Sequence, residues 1–132
     1  MKKIISLLLT GLLFTLTAAG CGAAPAEAPA YRQISMSEAK TLMENESDFL
    51  LLDVRTPQEF ADGHIPGAVN LPNETIGSEK PELLPDQEQL ILIYCRSGNR
   101  SKQASEKLAA LGYTNIMEFG GINTWNGDIV VD

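Results

Sequence analysis

The segment YCRSGNRS, residues 94–101, closes an apolar run and opens a basic, glycine-containing loop at Cys95. The chain has two cysteines in 132 residues, and this one is followed by Arg96, Ser97, Gly98, Asn99, Arg100 and Ser101. A cysteine is a nucleophile as its thiolate, which forms where amides, a helix N-terminus or arginines stand close. If a strand precedes this loop and a helix follows, its N–H groups converge on one point with the positive end of the helix dipole. Gly98 lets the loop turn tightly with no Cβ in the way. Together these residues predict a nucleophilic cysteine that receives a small anionic substrate, by sulfur or by phosphorus chemistry. The alternative, a small buried hydrophobe at a strand end, leaves Arg96 and Arg100 unexplained.

The elements that must position Cys95 follow from pattern. Tyr31 to Ile34 reads as a short edge strand. Ser35 and Glu38 fit a capping box for a helix running to about Asn45, with Ala39, Leu42 and Met43 on its apolar side. Phe49 to Leu52 is a continuous apolar run, as in a strand covered on both faces, and it ends in Asp53-Val54-Arg55. Thr56, Pro57 and Glu59 start a second, short helix. Gly63 is expected to stop that helix in a left-handed conformation. Ala68 to Leu71 reads as another strand, and residues 73–86 as a loop with at most one helical turn. Leu90 to Tyr94 is the most apolar stretch after the leader and reads as a buried parallel strand. Ser101 to Leu111 reads as helix, stopped by Gly112, then Asn115 to Phe119 as a last strand and residues 122–126 as a short helix. Alternating strands and helices predict an α/β fold with a small, mainly parallel sheet flanked by helices on both faces. Ligands of such sheets sit beyond the carboxyl ends of the strands, where Cys95 falls.

The amino-terminal end carries a different signal. Lys2 and Lys3 precede an apolar run from Ile4 to Leu16, then Ala18-Ala19-Gly20 and Cys21, which describes a secretory leader. The run is too short for a membrane span of about 20 residues. Ala-Ala-Gly-Cys resembles the lipobox of bacterial lipoproteins, with Ala18 where Leu is usual. That resemblance implies a signal peptide over residues 1–20, lipidation of Cys21, and an exported protein anchored to the cell membrane. Residues 21–30 are Ala/Pro-rich and read as a tether, leaving 31–132 as one domain. Losing the leader removes Lys2 and Lys3 and no acid, so the formal charge moves from −7 to −9. Such an acidic domain is a poor partner for nucleic acid. With Cys21 lipidated, Cys95 is the only free thiol. No C-x-x-C pair or His/Cys cluster has metal spacing, so neither metal nor cofactor is expected.

Three segments then carry a resemblance: LLDVRTPQEFADGHIPGAVNLP (Leu51–Pro72), ILIYCRSGNRS (Ile91–Ser101) and FGGINTW (Phe119–Trp125). In content and order they resemble the signature segments of the rhodanese family. The resemblance implies a single-domain sulfurtransferase of the thiosulfate type. Cys95 would take the outer sulfur of thiosulfate as a persulfide and hand it to a thiol, a cyanide-like acceptor or a redox partner. Four residues lie between Cys95 and Arg100, the short loop of sulfurtransferase members. Phosphatase and arsenate-reducing relatives have one more, to admit a tetrahedral oxyanion. On this reading the amides from Arg96 to Ser101 stabilise thiolate and persulfide. Arg96 and Arg100 attract the donor, or Arg100 braces the loop. Ser97 and Ser101 add hydroxyl hydrogen bonds, or serve as loop filler and helix cap. Asp53 and Arg55 either line the pocket or, for Arg55, form a structural ion pair with Glu59. His64 reads as a structural side chain bonded to backbone, and Trp125 as core packing. A rhodanese fold that carries sulfur or binds a partner, with little turnover, is the alternative from another class. The absence of a heptad or exposed apolar repeat suggests a monomer.

Overall fold

The computed structural model describes residues 30–131; the leader, Cys21 and the tether up to residue 29 lie outside the described residues. Five strands form one sheet: β1 (Arg32–Gln33), β2 (Phe49–Asp53), β3 (Val69–Asn70), β4 (Leu90–Cys95) and β5 (Ile116–Gly121). Their order is β1-β5-β4-β2-β3, and every pairing is parallel. Three helices connect them: α1 (Met36–Asn45), α2 (Pro57–Asp62) and α3 (Asn99–Ala110). Single 3₁₀ turns occupy Asn73–Thr75 and Ile122–Thr124. Both expected capping boxes form, Ser35 with Glu38 and Thr56 with Glu59.

The central strand shows why an unbroken apolar run is needed. Side chains alternate across a strand, so Ile91, Ile93 and Cys95 enter one core with Ala104 and Leu108 of α3. Leu92 and Tyr94 enter a second core with Ala39 of α1, and Phe60 of α2 packs against it. From Ile91 to Tyr94 these side chains are wholly buried, each contributing roughly 1.5–3 kcal/mol by leaving water. The chain thus leaves β2 by α2 on one face and β4 by α3 on the other. Where the connections part, the carboxyl ends of β2 and β4 open the crevice in which parallel sheets hold ligands.

Alternation also decides the partner of Arg55. Asp53 and Arg55 are two residues apart at the end of β2 and share a face. Arg55 Nη2 donates to Asp53 Oδ2 at 2.6 Å and to the Gly63 carbonyl at 2.7 Å, and Nε reaches both Asp53 oxygens at 3.0 Å. Asp53 is fully buried and Arg55 nearly so. The expected Arg55–Glu59 pair is therefore not formed, and the Asp53 and Arg55 side chains turn to each other and to Gly63. Gly63 differs from expectation too. Its φ of 149° and ψ of 136° lie in the extended positive-φ region, outside the left-handed helix, because its carbonyl turns to Arg55 and its neighbour His64 bridges to Val130. His64 Nδ1 lies 2.9 Å from the Phe60 carbonyl and its ring stacks on Phe60, a structural placement. Trp125 packs against the second core, as expected.

Asp53→Ala leaves Arg55 buried without its counter-charge. The expected loss is about 3–5 kcal/mol of stability, seen as a lower urea midpoint at unchanged slope.

Candidate active site

Cys95 is the last residue of β4, and its side chain points into the core shared with α3, 1% exposed. The next three residues form the loop, and Gly98 is the N-cap of α3 with φ 108° and ψ −14°. No side chain caps this helix. Its first amides turn to the sulfur instead, with Gly98 N–H donating to Cys95 Sγ at 3.0 Å. Helix α3 therefore starts at Asn99, two residues earlier than the pattern suggests, and Ser101 is not a cap. It is buried in the first turn, with its Oγ 3.4 Å from Cys95 Sγ.

These contacts decide the state of the thiol. Burial, the largest single influence, pushes its pKa up. Against it act the Ser101 hydroxyl and the backbone amides of Ser101, Gly98 and Ser97. The donors win together, and the thiol lies below its ordinary range. A sulfur anion here is held by dipoles already in place, the arrangement that stabilises charge at least reorganisation cost.

Two supports keep the loop over the sulfur. One is Gly121 at the end of β5. A Cβ there would stand 2.1 Å from the Arg96 carbonyl oxygen and 2.7 Å from Ser97 Cα, so the loop rests directly on this backbone. The other is the pair between Arg100 of α3 and Glu59 of α2, bidentate at 2.7 and 2.9 Å, across the crevice. Glu59 also accepts from Thr56 N–H and Oγ1. One carboxylate thus caps α2 and ties it to α3. Of the two arginines that follow Cys95, Arg100 is the brace. Arg96 is exposed, as are Ser97 and Asn99.

Glu118 went unremarked in the sequence. It is 2% exposed on β5, accepting from Ser101 Oγ at 2.6 Å and from Gly120 N–H at 2.8 Å. The signal was a carboxylate inside the apolar run Ile116–Phe119, immediately ahead of Gly120-Gly121. Asp53 and Arg55, by contrast, are turned to each other and to Gly63.

The Arg100 hydrogen bonds, above all, hold the Glu59 carboxyl down at about 2, from an ordinary 4.5. A depressed carboxylate stabilises the fold fully above about pH 4.5 and loses that contribution as pH falls towards 2. Wild type is expected to lose stability faster than Glu59→Gln across that window, in urea melts at stepped pH, with the difference reduced by the pair's partial exposure.

Comparison with known proteins agrees with this geometry. The chain is 34% identical over 71 residues to thiosulfate sulfurtransferase PspE of Escherichia coli (strain K12), covering 54% of this chain and 68% of that protein. It is 44% identical over 79 residues to a sulfurtransferase of Allochromatium vinosum, covering 59% and 72%. Among solved structures, a rhodanese-like domain protein from Staphylococcus aureus superposes with a TM-score of 0.65 at 29% identity, over 76% of this chain and 98% of that one. The human single-domain sulfurtransferase TSTD1 gives 0.60 at 30% identity, over 72% and 91%. The model of the rhodanese-like domain matches residues 35–128, from the first helix cap through the strand, loop and helix around Cys95. By that match and by its fold, the chain belongs to the rhodanese-like domain family.

Proposed function

We propose that the protein is a membrane-tethered, extracytoplasmic sulfurtransferase that takes sulfane sulfur from thiosulfate, or a similar small anion, through a Cys95 persulfide. The observation that carries this reading is the sulfur of Cys95 ringed by N–H donors with its pKa lowered against burial. The four residues between Cys95 and Arg100 and the sulfurtransferase relatives support sulfur chemistry.

In the first step the Cys95 thiolate attacks the outer sulfur of thiosulfate. A sulfur–sulfur bond forms to Sγ, the sulfur–sulfur bond of thiosulfate breaks, and sulfite leaves with the electron pair. In the second, an acceptor such as cyanide attacks the outer persulfide sulfur, and the Cys95 thiolate departs as thiocyanate forms. Charge balances in both steps without metal or cofactor. The persulfide carries the reactive atom about 2 Å beyond Sγ, and the acceptor attacks it there. Arg96, exposed at the loop, attracts the donor, while the amides of Ser97, Gly98 and Ser101 hold the charge and Asn99 opens the helix. Arg100 acts through Glu59 by fixing the loop. Cell-envelope acceptors are thiols or a redox partner protein, met by a monomer that binds no nucleic acid.

Intact-mass spectrometry before and after thiosulfate tests the chemistry. Wild type is expected to gain one sulfur, reversed by cyanide with release of thiocyanate, and Cys95→Ser to gain none. A wild type that gains nothing excludes thiosulfate as donor and favours the carrier or binding module. The tether rests on the leader and Cys21. Cys21→Ser is expected to shift the protein from the membrane to the soluble fraction on centrifugation, and an unchanged distribution would remove the lipid anchor.

A further inference from the structure

Glu118 is a buried carboxylate that sulfur transfer, as written, does not use. Alternation along β5 places Ile116 and Glu118 on the face of Cys95 and α3, while Met117 and Phe119 face the other core. Opposite Glu118, β4 presents Ile93 and β1 presents Gln33, so neither neighbouring strand offers it a cation. Its Oε1 is instead occupied by the Gly120 N–H at 2.8 Å and the Ser101 hydroxyl at 2.6 Å.

The hydroxyl has more acceptors than protons. Ser101 Oγ lies 2.6 Å from Glu118 Oε1, 2.9 Å from the Gly98 carbonyl, 3.4 Å from the Gly120 carbonyl and 3.4 Å from Cys95 Sγ. A hydroxyl donates once and accepts through two lone pairs. The shortest contact falls in the range of an O–H bonded to a carboxylate, about 2.5–2.7 Å. In that arrangement the Ser101 proton points to Glu118, and the S–H of Cys95 donates to Oγ. Once the thiol proton has left to solvent, the sulfur is an acceptor, and Ser101 serves it only by turning its proton away from Glu118.

We propose that Glu118 is a positioning residue that competes with the Cys95 sulfur for the single proton of Ser101 and so sets how readily the thiolate forms. In the persulfide Sγ carries no charge, and the proton returns to Glu118. When the outer sulfur departs, charge reappears on Sγ and the hydroxyl swings back. Glu118 thereby opposes the thiolate twice, by its own charge across the serine and by holding the donor. The backbone amides are left as the donors that never turn away. The other charged groups around the sulfur are Arg96 in the loop and Arg100 on α3, the latter paired with Glu59 of α2 and near Glu74.

The test is the pH dependence of iodoacetamide alkylation of the full-length protein, read on the Cys95 peptide by mass spectrometry so that Cys21 does not contribute. It needs no sulfur donor, so it stands even if thiosulfate proves not to be the substrate; the proposal rests on the sulfurtransferase reading only for its effect on turnover. Glu118→Gln keeps an acceptor for Gly120 and is expected to lower the apparent Cys95 pKa by about one unit, a roughly tenfold gain in rate below it. With Ser101→Ala in the background, less than about a third of that shift should remain. An unchanged or raised pKa in Glu118→Gln overturns the proposal, a rise pointing to Glu118 as proton acceptor for the thiol through Ser101. An equal shift with and without Ser101 also overturns it, leaving a through-space charge effect alone. Should the Gln variant fail to fold, carbon NMR of the wild type decides. The Glu118 carboxyl resonance is expected to step at the Cys95 midpoint as it loses the hydroxyl, and a resonance that does not move there rejects the competition.

Discussion

A sulfur anion at a site 1% exposed to solvent cannot rely on water, so fixed donors must hold its charge. The convergence of the amides of Ser97, Gly98 and Ser101 on Cys95 is the constraint that the rest of the structure serves. Backbone N–H groups converge on a point only where a strand ends and a helix begins within a few residues, with no side chain between. That requirement explains the glycine at the N-cap of α3, the absent side-chain cap, and the bare backbone of Gly121 beneath the loop. Each removes an atom that would push an amide off the sulfur.

The remaining elements hold that geometry in place. Helices α2 and α3 depart on opposite faces of the sheet, and nothing in a parallel sheet joins them. The Glu59–Arg100 pair does so, while the same carboxylate closes the capping box of α2. Its partial exposure limits its worth as a stabilising contact, but two short hydrogen bonds fix the angle at which α3 presents its first turn. Asp53 and Arg55 act one layer deeper. They anchor the end of β2 to Gly63.

Much of the fold was legible in residue patterns. The run Leu90–Tyr94 could be buried only on both faces, and Thr56-Pro57-x-Glu59 could begin only a helix. Both signals are local, since apolar period and capping depend on neighbours three or four residues away. Helix α3 starts two residues ahead of its apolar pattern because its cap is a glycine whose amide serves the sulfur, a use no local pattern announces. The expected Arg55–Glu59 pair gives way to Arg55 with Asp53 and Glu59 with Arg100 for a related reason. A long charged side chain reaches several acids, and the choice depends on which strand face each occupies and which helices meet.

Sequence alone determined the nucleophile, the short loop around it, the α/β alternation and the family resemblance, because each lies within a contiguous stretch of chain. Tertiary structure decided what surrounds the nucleophile. Arg100 became a brace when α2 brought Glu59 to within 2.7 Å of it. Ser101 became a contested donor, because β5, seventeen residues further along the chain, places Glu118 2.6 Å from its hydroxyl. Hydrogen bonds act over about 3 Å whatever the separation in sequence, and only the folded sheet sets those distances.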